Sequence, residues 1–175
     1  MAEETAPDQS RVRLDHYRLL GLEPSPKIDL DDLEMRYLKA SRRVHPDLNQ
    51  DRDELELIEA SSRLNAAWET LRDPWKRLPY LAELYSPCIL EETKNMAPCF
   101  LMEAMELGEM VEEAHEHPEL AEGLEKDLRR RLDRQQARIE DLLEDPGKAA
   151  EAARLCHEAR YVQRALSNLR RRDQS

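Results

Sequence analysis

The chain has 175 residues, enough for one or two small domains, and carries 38 acidic against 27 basic side chains for a net charge of −11. That balance argues against generic nucleic-acid binding, which demands a basic footprint, and no apolar run approaches the roughly 20 residues needed to span a bilayer. With 4 glycines, abundant charge and no alternating run of β-branched or aromatic residues, the composition favours an all-α fold.

The first residues, Met1 to Ser10, are acidic and polar. They lack the hydrophobic core of a secretory signal and the Arg-rich, acid-poor character of a mitochondrial presequence. Residues 1–12 are read as a disordered tail, and the protein as soluble and cytoplasmic. A helix is predicted from about Asp31, with Asp29 or Asp31 as its N-cap and Leu33, Tyr37, Leu38 and Val44 as its apolar positions. Arg36, Lys39, Arg42 and Arg43 give it a basic face. It must stop at His45-Pro46-Asp47, because Pro46 cannot extend a helix and pushes His45 out of the α region. The resulting turn presents an imidazole and a carboxylate at the end of a positively charged helix.

After the polar loop from Leu48 to Asp53, a second helix carries Leu55, Ile58, Ser62, Asn65, Trp68 and Leu71 at spacings of three and four, and it ends at Asp73-Pro74. The two helices form an antiparallel hairpin with its polar tip at residues 45 to 50. Asp15-His16-Tyr17-Arg18-Leu19-Leu20-Gly21-Leu22 resembles the D-Y-x-x-L-G-L opening of the J domain of DnaJ-class co-chaperones. Asn65 to Pro74 resembles its closing helix. The resemblance implies that His45, Pro46 and Asp47 engage an ATP-bound DnaK-class chaperone and stimulate its hydrolysis. Arg36, Lys39, Arg42 and Arg43 would then dock on that partner's acidic surface. Leu48 departs from the family, where many members carry a lysine, which removes one basic contact and leaves the tripeptide intact.

Pro74, Pro79, Pro87 and Pro98 mark residues 74 to 98 as a connector. Beyond it three helices are predicted, over roughly Cys99–Glu116, Glu119–Leu143 and Lys148–Arg171, with Pro118 and Asp145-Pro146-Gly147 as the breaks. One stripe is Leu120, Leu124, Leu128, Leu132, Ile139 and Leu142; another is Leu155, Ala159, Val162, Leu166 and Leu169. Short breaks between long amphipathic helices predict an antiparallel three-helix bundle. The domains are therefore a J domain over 13–80, a linker over 81–98 and a bundle over 99–172.

Phe100, Ala104, Leu107, Val111 and Ala114 already supply a complete core face for the first bundle helix. Leu101, Met102 and Met105 fall on a second face with Glu106, Glu109 and Glu113. An apolar patch rimmed by acids is a candidate binding surface, and methionine suits one because it adapts its shape. Tyr161 sits one position off the apolar stripe of the last helix. Burial of both features by the bundle or the linker is the competing reading. Gly108 either permits a close approach or is tolerated at about 1 kcal/mol relative to Ala.

Charge is unevenly placed: Glu103 to Glu125 holds nine glutamates and neither Lys nor Arg, Leu128 to Arg138 is basic, and Arg170-Arg171-Arg172 is basic again. Such runs are read as solvated helix faces, and the terminal arginines as a helix end favouring its own dipole.

Cys88, Cys99 and Cys156 are odd in number and form no C-x-x-C pair, which argues against a disulfide framework. Cys99 and Cys156 read as small core residues. A metal or redox site built from the cysteines with His45, His115, His117 and His157 is disfavoured, since two imidazoles at His115 and His117 would point about 200° apart on a helix. No nucleophile–base motif suggests a hydrolase. His45 and Asp47 are read as contact residues, not an acid–base pair.

Phe100-Leu101-Met102-Glu103-Ala104-Met105-Glu106-Leu107 resembles the F-L-M-E-x-L-E-L segment of the HscB family, J-type co-chaperones of iron–sulfur cluster assembly. The layout of J domain, linker and three-helix bundle is similar from about Asp15 to Leu169. The resemblance implies a bundle that binds an IscU-type cluster scaffold, delivered by the J domain to an HscA/DnaK-type ATPase chaperone. Scaffold-binding residues would be Leu101, Met102, Met105, Glu106, Glu109, Glu113 and Tyr161. Met105 replaces the family's leucine and Tyr161 its phenylalanine, both keeping apolar bulk. The N-terminal pair of C-x-x-C zinc motifs of some eukaryotic members is absent from this sequence, so no metal or other cofactor is expected. The alternative is a general J-domain co-chaperone with a different client.

Overall fold

The structure is a computed structural model and describes residues 15–44 and 53–171, all helix, turn and connecting loop. Two compact units emerge: residues up to Pro24 with Ile28–Asp73, and Pro74 onward together with the short segment Ser25–Lys27.

In the first unit, α1 (His16–Leu19) and α2 (Leu30–Val44) both pack on α3 (Glu54–Leu71). Asp15 caps α1 by accepting from the Arg18 amide at 2.9 Å, and Asp53 caps α3 by accepting from that of Leu55. Of the two candidate caps for α2, Asp29 is the one used: its carboxylate accepts from the amides of Asp31 and Asp32, and the helix starts at Leu30. Tyr37, midway along α2, stacks on Trp68 with ring centroids 4.8 Å apart and bonds through its hydroxyl to Asn65 at 2.9 Å. Contacts between mid-α2 and the second half of α3 fix the antiparallel register.

The buried face of α3 differs from the one expected. Leu57, Leu64, Ala67 and Leu71 are buried, whereas Leu55 and Ile58 are exposed. The expected stripe suits a helix with a single neighbour, but α1 packs on this helix as well, with Tyr17 and Leu20 buried between them. That second neighbour rotates the core stripe onto the seven-residue series Leu57, Leu64 and Leu71. On α2, Leu33 is buried and Leu38 is exposed, since Tyr37 takes the inward position beside it.

In the second unit, α6 (Pro98–Glu116), α7 (Pro118–Leu143) and α8 (Ala149–Arg171) contact one another pairwise as a three-helix bundle, with a 3₁₀ turn at Pro146–Lys148 between the last two. Their core contains Leu107, Val111, Ala114, Leu124, Leu128, Leu132, Ala159, Val162, Leu166 and Leu169. Leu120, expected in the stripe, is exposed. Arg170, next to the end of α8, already pairs with Glu125, so α8 has almost run out where α7 reaches Leu120.

The stretch from Pro74 to Pro98, expected as a connector, itself contains α4 (Pro74–Tyr85) and the single turn α5 (Ile89–Glu92). α4 buries Leu78, Pro79, Leu81 and Ala82 and packs on α7 and α8, and Trp75 lies against the bundle core. Buried Arg77 donates from Nε to the Pro26 carbonyl at 3.1 Å. Cys88 adopts a left-handed conformation (φ 70°) before α5, and the Glu83 carboxylate accepts from the amides of Cys88 and Leu90 to hold that turn.

Candidate partner-binding surfaces

His45, Pro46 and Asp47 lie outside the described residues, so the first surface is defined by the helix that leads to them. Arg36 is half-buried and committed: Nε pairs with Asp32 at 2.7 Å and Nη1 donates to the Gly21 carbonyl at 2.5 Å. Gly21 has φ +67°, and a Cβ there would sit 3.3 Å from Arg36 Nη1, so both conformation and closeness favour glycine. Lys39, Arg42 and Arg43 are exposed. Arg36, Lys39 and Arg43, at spacings of three and four, line one shallow groove of about 590 Å³ with Arg18, while Asp32 is its acidic member. Arg42 is set on the neighbouring face of the helix by the 100° step per residue. Arg18 gives no signal in the sequence because the groove joins α1 to α2, and periodicity within one helix does not reveal a neighbour.

On the second unit, Leu101, Met102 and Met105 are 43%, 64% and 70% exposed, so the competing expectation of burial does not hold. Glu106, Glu109 and Glu113 are exposed along the same face of α6. Phe100, on the core face, is buried, and Tyr161 of α8 meets its ring edge-on at a centroid distance of 5.4 Å. That contact brings the half-exposed Tyr161 to the start of the α6 patch. Gly108 has nothing within 4 Å of where a Cβ would stand, so it serves no close approach.

Several other candidates resolve differently. Cys99 is exposed at the start of α6, not a core residue, whereas Cys156 is buried. His117 is the junction between α6 and α7, with φ −121° and ψ 81°, so His115 and His117 do not share a helix as expected. His157 lies within hydrogen-bonding distance of the Leu90 carbonyl, 2.9 Å from Nε2. Among the described residues no group of three or more His, Cys, Asp or Glu side chains is arranged to hold a metal ion, and no helix is long and apolar enough to cross a membrane.

Comparison with known proteins agrees with this two-part layout. A DnaJ domain model matches residues 15–80, and a model described as the HSCB C-terminal oligomerisation domain matches residues 96–170. The co-chaperone protein HscB homologues of Bordetella pertussis and Bordetella bronchiseptica are 30% identical over 159 residues, covering 89% of this chain and 94% of theirs. The chain belongs to the HscB family. Its fold is similar to that of chaperone HscB from Vibrio cholerae (TM-score 0.78, 22% identity, 91% of this chain and 98% of that one). It is equally similar to human co-chaperone protein HscB (TM-score 0.78, 26% identity, 96% of this chain and 85% of that one). As an HscB-family protein with a J domain, it has an implied co-chaperone role beside an Hsp70-type chaperone in iron–sulfur cluster assembly.

Proposed function

We propose that this HscB-family protein binds an IscU-type scaffold through its C-terminal bundle, delivers it to an HscA/DnaK-type chaperone and stimulates that chaperone's ATPase. The observation that carries this reading is the exposure of Leu101, Met102 and Met105 beside Tyr161 on a bundle whose core is already filled by another face of α6. Buried on docking, such side chains contribute about 1–3 kcal/mol each when they act as hot spots. Glu106, Glu109 and Glu113 form the polar rim and favour basic side chains on the partner.

In the J domain, His45, Pro46 and Asp47 make the contact that triggers hydrolysis, with Lys39, Arg42 and Arg43 supplying attraction to an acidic chaperone surface and Arg36 holding the helix in place. No bond is made or broken by this protein. Tethering the two partners to one chain raises their effective concentration for each other toward the millimolar range, about what a short linker supplies.

Calorimetric titration with an IscU-type scaffold tests the reading. Saturable binding is expected, weakened at least tenfold in Leu101→Ala/Met105→Ala with the melting transition unchanged. A cooperative loss of helicity in that variant would instead make these side chains part of the core. Absence of binding by the unaltered protein, with ATPase stimulation retained, would leave a general J-domain co-chaperone with another client.

A further inference from the structure

Around Tyr161 lies a small pocket of about 200 Å³ lined by Lys94, Met96, His157, Arg160, Tyr161 and Arg164. No carboxylate belongs to its lining, although the protein carries a net charge of −11. Some bundle arginines find acids: Arg129 and Arg170 share Glu125, Arg131 pairs with Glu103, and Arg138 with Glu151. Arg134, Arg154 and Arg171 do not among the described residues, so what distinguishes Arg160 and Arg164 is their shared place in this acid-free pocket. Arg160 and Arg164 are exposed and have no carboxylate within ion-pair distance among the described residues, while Lys94 is paired with Glu91. One turn of α8 sets Arg160 and Arg164 four residues apart on a common face, with His157 and Tyr161 interleaved at the same spacing. Close to the Leu90 carbonyl, the His157 ring forms one wall of the pocket.

Two unpaired guanidinium groups lining a pocket with an aromatic wall have the chemistry to bind a carboxylate, which guanidinium groups can hold bidentately. Tyr161 belongs both to this pocket and, through its edge-on contact with Phe100, to the start of the α6 patch. We infer that Arg160 and Arg164 form an acceptor site for an acidic side chain of the protein that docks on Leu101, Met102 and Met105, an inference that rests on the proposed scaffold-binding role. The docking surface is then bipolar. Glu106, Glu109 and Glu113 flank the apolar centre along α6 and the two arginines flank it from α8, so a partner with the opposite polarity fits in one orientation only. Charge arranged in this way fixes register and speeds encounter more than it adds affinity, and its effect fades with salt.

The test is titration of the full chain with the IscU-type scaffold at low and at near-physiological ionic strength. Arg160→Glu/Arg164→Glu is expected to weaken binding tenfold or more at low salt, to flatten its salt dependence, and to leave the melting transition in place because both side chains are exposed. Arg160→Gln/Arg164→Gln should fall between that variant and the unaltered protein. Arg134→Glu/Arg154→Glu, with the same change in net charge at exposed positions outside the pocket, should bind as the unaltered protein does. Equal weakening by the two charge-reversed pairs overturns the inference in favour of long-range charge alone. Unchanged binding after reversal at 160 and 164, with loss in Leu101→Ala/Met105→Ala, overturns it and leaves the scaffold-binding role standing. No binding by the unaltered protein overturns both.

Discussion

Burial pushes the Cys156 thiol up to about 12, against the opposing pull of the Arg160 guanidinium, so at neutral pH it is protonated and shielded. Cys88 and Cys99 are exposed. A thiol reagent added to the native protein should therefore modify Cys88 and Cys99 and reach Cys156 only on unfolding; a third thiol reacting at the native rate would contradict this. Glu158 gives a second test at the same scale. Burial raises its pKa above the ordinary carboxylate value, the neighbouring Glu103 adds to the rise, and Arg131 partly offsets it. A raised acid binds more protons in the folded than in the unfolded chain, so this group's contribution to stability falls as pH rises from 4.5 through its shifted value. Thermal melts of Glu158→Gln should show higher stability at neutral pH and a flatter profile through that window, whereas a lower melting temperature at pH 7 would contradict the assignment.

At the scale of elements, the length and order of the long helices are legible in the sequence. Proline placement and spacing of apolar positions locate α2, α3, α6, α7 and α8 to within a residue or two. Which side of a helix is buried is legible only where the number of its neighbours is. On α6 the core and patch faces separate as expected, because a helix in a three-membered bundle has one interior side. On α3 the expected stripe fails, because α1 is a single turn and gives no periodic signal of its own. α4 is hidden by its prolines: Pro74 opens the helix, where a missing N–H costs nothing, and Pro79 is accommodated within it and buried. Leu64→Ala should cost about 2–5 kcal/mol in chemical denaturation, and Leu55→Ala about 0.5 kcal/mol or less. Equal losses would restore the stripe expected from the sequence.

For the whole molecule, the J-domain opening, the tripeptide and the closing helix, followed by the F-L-M-E segment, carry the family assignment in the sequence itself. The pocket at Arg160 and Arg164 is not legible there. Its lining comes from α8 and from the segment between α5 and α6, which the spacing of residues within one helix does not relate. The proposed function assigns separable roles to two surfaces, one that would hold a client without triggering hydrolysis and one that would trigger hydrolysis without holding the client. His45→Gln should leave scaffold binding and folding intact while removing the effect on the chaperone, because His45 lies outside the bundle.

The measurement that bears most directly on this division is the steady-state ATPase rate of an HscA/DnaK-type chaperone with the IscU-type scaffold present, compared among the unaltered protein, His45→Gln and Leu101→Ala/Met105→Ala. Stimulation by the unaltered protein, its loss in His45→Gln, and retention of only the scaffold-independent part in Leu101→Ala/Met105→Ala are the results expected. Undiminished stimulation by His45→Gln would contradict the account.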